Sequence, residues 1–293
     1  MTGVGGRLAA ALTERCRIER ETLRRRIACA ACAVLAFISL TARVRAQTGT
    51  VVDVVAHEYA FTMRDTIPAG LTTFRLRDAG AEWHHVKLVR LDSGRTLAQM
   101  YDALGKGEPF PAWMHFLGGP NAPAPNRVTS VTAKLEPGRY AIWCNVNAPD
   151  GKPHWTKGMF KEFIVTLSTR AAPLPTGDVA LTLRDYAFDL SRPITRGTHA
   201  IRITDAAAQP HEIFILHLEP RAGMDEVQAW LTKRVPTAPG EPFGGTTDIA
   251  PGDTVLLGAD FPPGRYAFIC WVADARDGQP HWRHGMVRVI DVR

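Results

Sequence analysis

Cysteine is scarce in this chain, with five among 293 residues. Three of them, Cys16, Cys29 and Cys32, lie in the first 46 residues, so the rest of the chain carries only Cys144 and Cys270. Two cysteines are too few for the disulfide framework that small secreted domains use in place of a large core. A single disulfide between Cys144 and Cys270 is the alternative to two free thiols.

The main part of the chain also lacks an excess of either charge. The whole sequence has a formal net charge of +6, from 35 Lys and Arg against 29 Asp and Glu. Nine arginines and three glutamates fall in residues 1–46, which leaves 26 basic and 26 acidic residues in 47–293. A balanced chain does not supply the basic surface on which nucleic-acid binding depends, so we expect no nucleic-acid partner.

Long hydrophobic runs are missing too. The uncharged apolar run at residues 27–40 has 14 residues, fewer than the ~20 that a membrane-spanning helix needs. The run follows three arginines, at 24 to 26, and precedes a possible cleavage site after Ala46, with Val44 two residues before it. This is the pattern of a cleaved secretory signal. We expect residues 1–46 to be a signal peptide, and the mature protein to be exported to the periplasm or beyond, without stable membrane insertion. An uncleaved signal that anchors the chain is the alternative.

What the chain does contain is an internal repeat. The segments that recur at an offset of 126 or 127 residues are Tyr-Ala-Phe (59–61 and 186–188), Arg-x-x-Asp-Ala (75–79 and 202–206), Pro-Gly-Arg-Tyr-Ala (137–141 and 263–267) and Asp-Gly-x-Pro-His-Trp (150–155 and 277–282). Each copy has the size of a domain, about 120 residues. The repeat predicts a first domain at 47–170, a linker at 171–176 and a second domain at 177–293.

Both copies are predicted to be mostly β-structure. Short runs of β-branched and aromatic residues, separated by Gly and Pro, lie at 51–55, 72–76, 86–89, 140–144 and 163–167 in the first copy, and such a pattern is typical of a β-sandwich. Apolar residues at helical spacing predict one short helix in each copy. These residues are Leu97, Met100, Tyr101 and Leu104, then Met224, Val227, Trp230 and Leu231. Residues 109–126 are rich in Pro and Gly and predict a long loop.

Each copy also holds a His, a Cys about sixty residues later, a second His and a Met, in that order. The candidate metal ligands are His84, Cys144, His154 and Met159 in the first copy, and His211, Cys270, His281 and Met286 in the second. Two imidazoles, one thiolate and a weak thioether are the ligands of a trigonal blue-copper site. A glycine before each Met permits the turn that lets the second His and the Met face one ion.

At these residues the sequence resembles the cupredoxin family, the plastocyanin-like type 1 copper domains. The matching pieces are the His84 and His211 segments, the Pro-Gly-Arg-Tyr-x-x-x-Cys runs and the His-Trp-x-x-Gly-Met runs. The resemblance covers nearly all of 48–293. It implies an all-β chain of two tandem Greek-key β-sandwich domains, each with one type 1 copper, in which the two His and the Cys are strong ligands and the Met is axial.

Two departures from the family pattern matter. Nine residues separate Cys144 from His154 and ten separate Cys270 from His281, which is longer than in small electron carriers of the family and more like the type 1 domain of copper nitrite reductases. His85 and Glu212 stand where the family often has Asn, so the hydrogen bond that ties the ligand loops is expected to differ. His85 is also the alternative to His84 as a ligand, although alignment with His211 favours His84.

The function that follows from the resemblance is electron transfer by an exported copper protein, with another redox protein as partner. The first alternative is a cupredoxin-like module that binds a partner or handles copper without a redox role. The second is a two-domain copper oxidoreductase. That enzyme needs a further copper centre built from His-x-His pairs or a His next to the type 1 Cys, and here Trp143 and Ile269 precede the cysteines and no His-x-His occurs.

Overall fold

The computed structural model describes residues 49–107, 109–168, 172–235 and 237–293. The predicted signal peptide, residues 1–46, lies outside this part of the chain, so its prediction stands as made. Among the residues that are described, no helix has the length and apolar character needed to cross a membrane.

Strands are the main secondary structure of the described chain, which confirms the all-β prediction. Two α-helices are present in it, α1 (Leu97–Lys106) and α2 (Met224–Leu231), one in each half as predicted. The strands are β1 (Thr50–His57), β2 (Ala60–Thr62), β3 (Thr66–Pro68), β4 (Gly70–Asp78), β5 (Lys87–Leu91), β6 (Met114–Phe116), β7 (Val128–Leu135), β8 (Gly138–Trp143), β9 (Phe160–Thr166), β10 (Val179–Arg184), β11 (Ala187–Leu190), β12 (Gly197–Asp205), β13 (His211–Leu218), β14 (Gly240–Ile249), β15 (Thr254–Phe261), β16 (Gly264–Ile269) and β17 (Val287–Val292).

The first half is a sandwich of two sheets. One contains β2, β1, β4 and β7 in that order, and the other contains β3, β9, β8, β5 and β6. Alternate side chains of both sheets point inward, and Val52, Phe74, Leu88 and Phe163 meet in one core. Strand β1 pairs with β4 in parallel, since the chain crosses to the other sheet as β3 between them.

The second half has the same layout. Its sheets are β11, β10, β12 and β15, and β14, β13, β16 and β17. Strand β10 pairs with β12 in parallel, as β1 does with β4. The inward residues Leu181, Ile203, Ile215 and Phe268 are buried.

The two halves are joined edge to edge. Strand β7 of the first half pairs with β15 of the second through Ser130, Val131 and Thr132, so that one sheet of each half merges into a sheet of eight strands. Pairing removes two exposed strand edges, each of which would otherwise present unpaired N–H and C=O groups.

Residues 109–126 correct the prediction of a plain loop. After β6, the chain runs along β14 of the other half, with hydrogen bonds from Gly118 N to Asp248 O at 2.8 Å, Thr247 N to Gly119 O at 2.8 Å and Asn121 N to Gly245 O at 3.1 Å. Gly and Pro conceal this pairing from a strand pattern. Gly119 is required there, because a Cβ at that position would lie 2.1 Å from Val86 O.

A buried ion pair also crosses between the halves. Lys87 on β5 donates to Asp248 on β14, with Nζ and Oδ2 2.8 Å apart and both side chains more than nine-tenths buried. Removing one member of such a pair leaves an uncompensated buried charge, which is more costly than losing the pair as a whole.

We therefore expect Lys87→Met to lower the free energy of unfolding by about 3–5 kcal/mol. Lys161→Met is the matched control, because Lys161 pairs with an exposed Asp65, and its cost should stay below about 1 kcal/mol. Urea unfolding followed by circular dichroism measures both. Adding Asp248→Leu to Lys87→Met should recover part of the loss, and equal costs for the two lysines would contradict the assignment.

Candidate metal centre

The four predicted ligands of the first half lie at one end of its sandwich. His84 precedes β5, Cys144 follows β8, and His154 opens a 3₁₀ turn (His154–Lys157) that leads to Met159 and β9. All four residues are completely buried. Residues 140–144 alternate between two sides, since Tyr140, Ile142 and Cys144 share the sandwich core while Ala141 and Trp143 pack in another cluster.

Three of these residues are in contact through one short turn. Cys144 Sγ lies 3.5 Å from His154 Nδ1. The backbone N–H of Cys144 donates to Met159 O at 3.1 Å, and that of Met159 donates to His154 O at 3.2 Å. The rings of His84 and His154 are 4.9 Å apart between centroids, so the first His completes the group.

The second half repeats this geometry with its own residues. Cys270 Sγ lies 3.4 Å from His281 Nδ1, and the rings of His211 and His281 are 4.5 Å apart. Cys270 N donates to Met286 O at 3.2 Å and Met286 N to His281 O at 3.1 Å. These four residues are completely buried as well.

A buried aspartate holds the first histidine of each half, a role that the sequence reasoning missed. Asp78 Oδ1 lies 3.0 Å from His84 Nδ1, and its Oδ2 accepts the His84 backbone N–H at 3.1 Å. Asp205 Oδ2 lies 3.4 Å from His211 Nδ1. The sequence signal for this role was the Asp of the Arg-x-x-Asp-Ala repeat, which lies six residues before each histidine. The two Nε2 atoms are buried without a hydrogen-bond partner, and they are the nitrogens of these rings that remain available to a ligand.

The predicted ligand sets are more open than a closed metal cluster. Among the described residues, one group of three offers possible ligand atoms that all lie within 4.8 Å of one another. It consists of Asp274, Asp277 and His284. The candidate ligands of neither half form such a group, while the Nδ1 atoms of His84 and His211 lie against aspartates. Cys144 and Cys270 are free thiols, which rules out the alternative of a disulfide between them.

His85 and Glu212 tie the loops that carry the candidate ligands. His85 N donates to Cys144 Sγ at 3.5 Å, and His85 Nε2 accepts from Asn145 N at 3.2 Å. Glu212 N donates to Cys270 Sγ at 3.4 Å, and Glu212 Oε1 accepts from Trp271 N at 3.1 Å. The imidazole of His85 is thus engaged away from the thiol, which favours His84 over His85 as the ligand.

The same two residues connect the two sites. Asn121 Nδ2 donates to Glu212 Oε2 at 3.3 Å, and Asn121 also forms a side-chain hydrogen bond with His85. These residues line a cavity of about 460 Å³ that Trp83, Trp230 and Trp271 complete. A chain of polar contacts therefore runs from the Cys144 loop to the Cys270 loop.

Burial favours the neutral form of the thiol and of the second histidine in each half. It raises the pKa of the Cys144 thiol to about 12 and that of Cys270 well above its ordinary value. It lowers the pKa of His281 to about 4, and it also lowers the pKa of His154, against a hydrogen bond to Glu82 that raises it. Two imidazoles with a thiol that a metal ion can deprotonate, next to a buried thioether residue, fit copper.

No protein-family model and no curated relative matches this chain. Among solved structures, auracyanin A, a "blue" copper protein from Chloroflexus aurantiacus, is 20% identical with a TM-score of 0.30, over 41% of this chain and 100% of that one. A blue copper oxidase from Nitrosomonas europaea is 17% identical with a TM-score of 0.24, over 84% and 86% of the two chains. A copper nitrite reductase from Thermus scotoductus is 10% identical with a TM-score of 0.23, over 84% and 61%. Scores this low carry no weight for the family or the function of this chain.

The buried histidines make stability depend on pH. Burial lowers the pKa of His281 to about 4 and that of His85 to about 3. In the unfolded chain the same side chains bind protons near pH 6.5, while in the folded state they stay neutral at that pH. The unfolded state then holds more protons, so the metal-free protein should lose stability as the pH falls from about 6.5 to about 4.

Thermal unfolding of the metal-free protein across this pH range measures the effect. His85→Asn removes one of the two groups while keeping an acceptor for Asn145 N, and it should flatten the dependence. An identical pH dependence in this variant and in the original chain would show that His85 is not held neutral.

Proposed function

We propose that this protein is an exported electron-transfer protein that holds one copper ion in each half, at His84, Cys144, His154 and Met159 and at His211, Cys270, His281 and Met286. The observation that carries the proposal is the Cys–His contact of 3.5 Å in one half and 3.4 Å in the other, each closed by the same backbone hydrogen bonds to a Met. Copper would supply a one-electron redox couple at each site.

The chain's own residues suit that role. The Cys and second His of each half are buried and tied by backbone hydrogen bonds, so little rearrangement would accompany a change of charge. His85 N–H and Glu212 N–H point at the two sulfur atoms and offset negative charge there. In the sequence, Trp143 and Asn145 flank Cys144, and Ile269 and Trp271 flank Cys270. Neither cysteine has the neighbouring His that would connect it to a second copper centre, which favours a carrier over an oxidoreductase.

The remaining parts of the proposal follow the sequence. Residues 1–46 would direct export to the periplasm or beyond, and 47–170 and 177–293 would be tandem cupredoxin-like domains joined through 171–176. Another redox protein would be the partner. A copper-handling role without redox chemistry is the second candidate, and the aspartate-held His84 and His211, which leave each ligand set open, favour it.

Copper loading tests the proposal. The purified chain with added Cu(II) should bind two copper ions and show an intense visible band from thiolate-to-copper charge transfer. Cys144→Ser and Cys270→Ser should each remove one ion and the corresponding part of the band. Metal analysis, the visible spectrum and electron paramagnetic resonance provide the readout.

His284→Gln is the control, because it removes a ligand atom from the Asp274, Asp277 and His284 group while leaving both proposed sites intact. It should keep both copper ions. Colourless protein without bound copper would contradict the proposal, and bound copper without the visible band or reversible reduction would favour the copper-handling role.

A further inference from the structure

The Tyr-Ala-Phe repeat of the sequence places a tyrosine against the second histidine in each half. Tyr59 and Tyr186 both adopt a left-handed backbone, with φ of 64° and 66°, which is uncommon for a residue other than glycine. The Tyr59 ring meets the His154 ring edge-on with centroids 5.2 Å apart, and the Tyr186 ring meets His281 at 5.6 Å. A repeated backbone outlier in contact with a candidate ligand points to a constraint on that ligand.

A carboxylate lies between the tyrosine and the histidine in each half. Tyr59 O–H donates to Glu82 Oε1 at 3.0 Å, and Glu82 Oε2 lies 2.9 Å from His154 Nε2. In the second half Tyr186 O–H donates to Asp274 Oδ2. A basic side chain covers each tyrosine ring, Lys157 in one half and Arg276 in the other.

The two carboxylates come from different loops. Glu82 lies two residues before His84, and the corresponding position before His211 is Gln209. Asp274, by contrast, lies in the loop after Cys270, and Gln209 Nε2 donates to it at 3.0 Å. The halves therefore share the Tyr–carboxylate–His cluster although its acidic residue has moved, which indicates that the cluster is more than an inherited loop sequence.

The two clusters are not equal in strength. Glu82 is within hydrogen-bond distance of His154 Nε2, whereas Asp274 Oδ2 is 3.9 Å from His281 Nε2, and that nitrogen is buried without a hydrogen-bond partner. Asp274 is instead committed to Tyr186, Gln209 and Arg276. Of the two second histidines, His154 and not His281 has its Nε2 within hydrogen-bond distance of a carboxylate, which leaves the His154 Nδ1 lone pair directed toward Cys144 Sγ.

We propose that Tyr59 and Glu82 are positioning residues that fix His154 as the Nε2–H tautomer, so that the first site binds Cu(II) more tightly and has the lower reduction potential of the two. A carboxylate that accepts the outer N–H of a ligating imidazole makes that imidazole a stronger donor, which favours the more highly charged metal ion. The inference rests on the proposed function for its copper part, while the tautomer exists without metal. An electron delivered to the chain would then reside at the second site.

The metal-free protein tests the tautomer directly. Imidazole ¹⁵N chemical shifts of the labelled chain should show His154 as a single Nε2–H tautomer and His281 without such a preference. Glu82→Gln should weaken the preference at His154. Glu162→Gln is the control and should not, because Glu162 lies on β9 and pairs with Arg139 instead. A His154 ring that shows the same tautomer mixture as His281 would overturn the proposal.

Copper affinity tests the consequence. Cys270→Ser leaves the first site and Cys144→Ser the second, and Cu(II) competition with a chelator measures each. In the first-site protein, Glu82→Gln should lower the Cu(II) affinity by about 10- to 100-fold and raise the reduction potential, while Glu162→Gln changes neither. Tyr59→Phe should act in the same direction by a smaller factor, and in the second-site protein Asp274→Asn should have less effect than Glu82→Gln has in the first.

The outcomes separate this proposal from the proposed function. If neither single-site protein binds Cu(II), the proposed function fails, and the ¹⁵N shifts of the metal-free chain still decide the tautomer. If both single-site proteins bind Cu(II) and Glu82→Gln leaves the affinity of the first site unchanged, the positioning role of Glu82 is wrong. The copper sites of the proposed function would still hold.

Discussion

The burial of imidazole rings and a thiol at the end of an apolar sandwich is the constraint on which each half depends. A buried polar group without a hydrogen bond costs free energy that a marginally stable fold cannot spare. Several loops at this end supply hydrogen-bond partners for the imidazole nitrogens and the thiol sulfur. Asp78 holds the first His of the first half, Glu82 the second, and the N–H of His85 faces the thiol. Among the candidate ligand rings in the described chain, the Nε2 atoms of His84, His211 and His281 are buried without a hydrogen bond.

The joining of the halves adds a second level of organisation. The eight-stranded sheet, the segment that runs along β14 and the buried Lys87–Asp248 pair all connect residues that are far apart in sequence. At the sites themselves, His85, Asn121 and Glu212 link the loop of one Cys to the loop of the other. The two candidate sites therefore belong to one continuous structure, although the chain encodes them as separate repeats.

Much of the fold was predictable because its signals are local. Alternating β-branched and aromatic residues specified strands such as β1 and β8, and apolar spacing specified α1 and α2. The pairing of residues 109–126 with β14 was not predictable, since backbone hydrogen bonds carry it and Gly and Pro disguise it. The same holds for Glu82 and Asp274, whose equivalent positions in space are reached from loops that do not correspond in sequence.

By itself the sequence determined the types of candidate ligand, their order and their duplication, because donor chemistry and strand alternation are properties of neighbouring residues. Alignment of the repeats also favours His84 over His85 as the candidate, and His85 Nε2 contacts Asn145 N instead. The tertiary structure alone decided which carboxylate reaches which imidazole. The distance from the nearby carboxylate oxygen to Nε2 is 2.9 Å at His154 and 3.9 Å at His281. Each distance depends on how several loops pack together, and no local pattern encodes it.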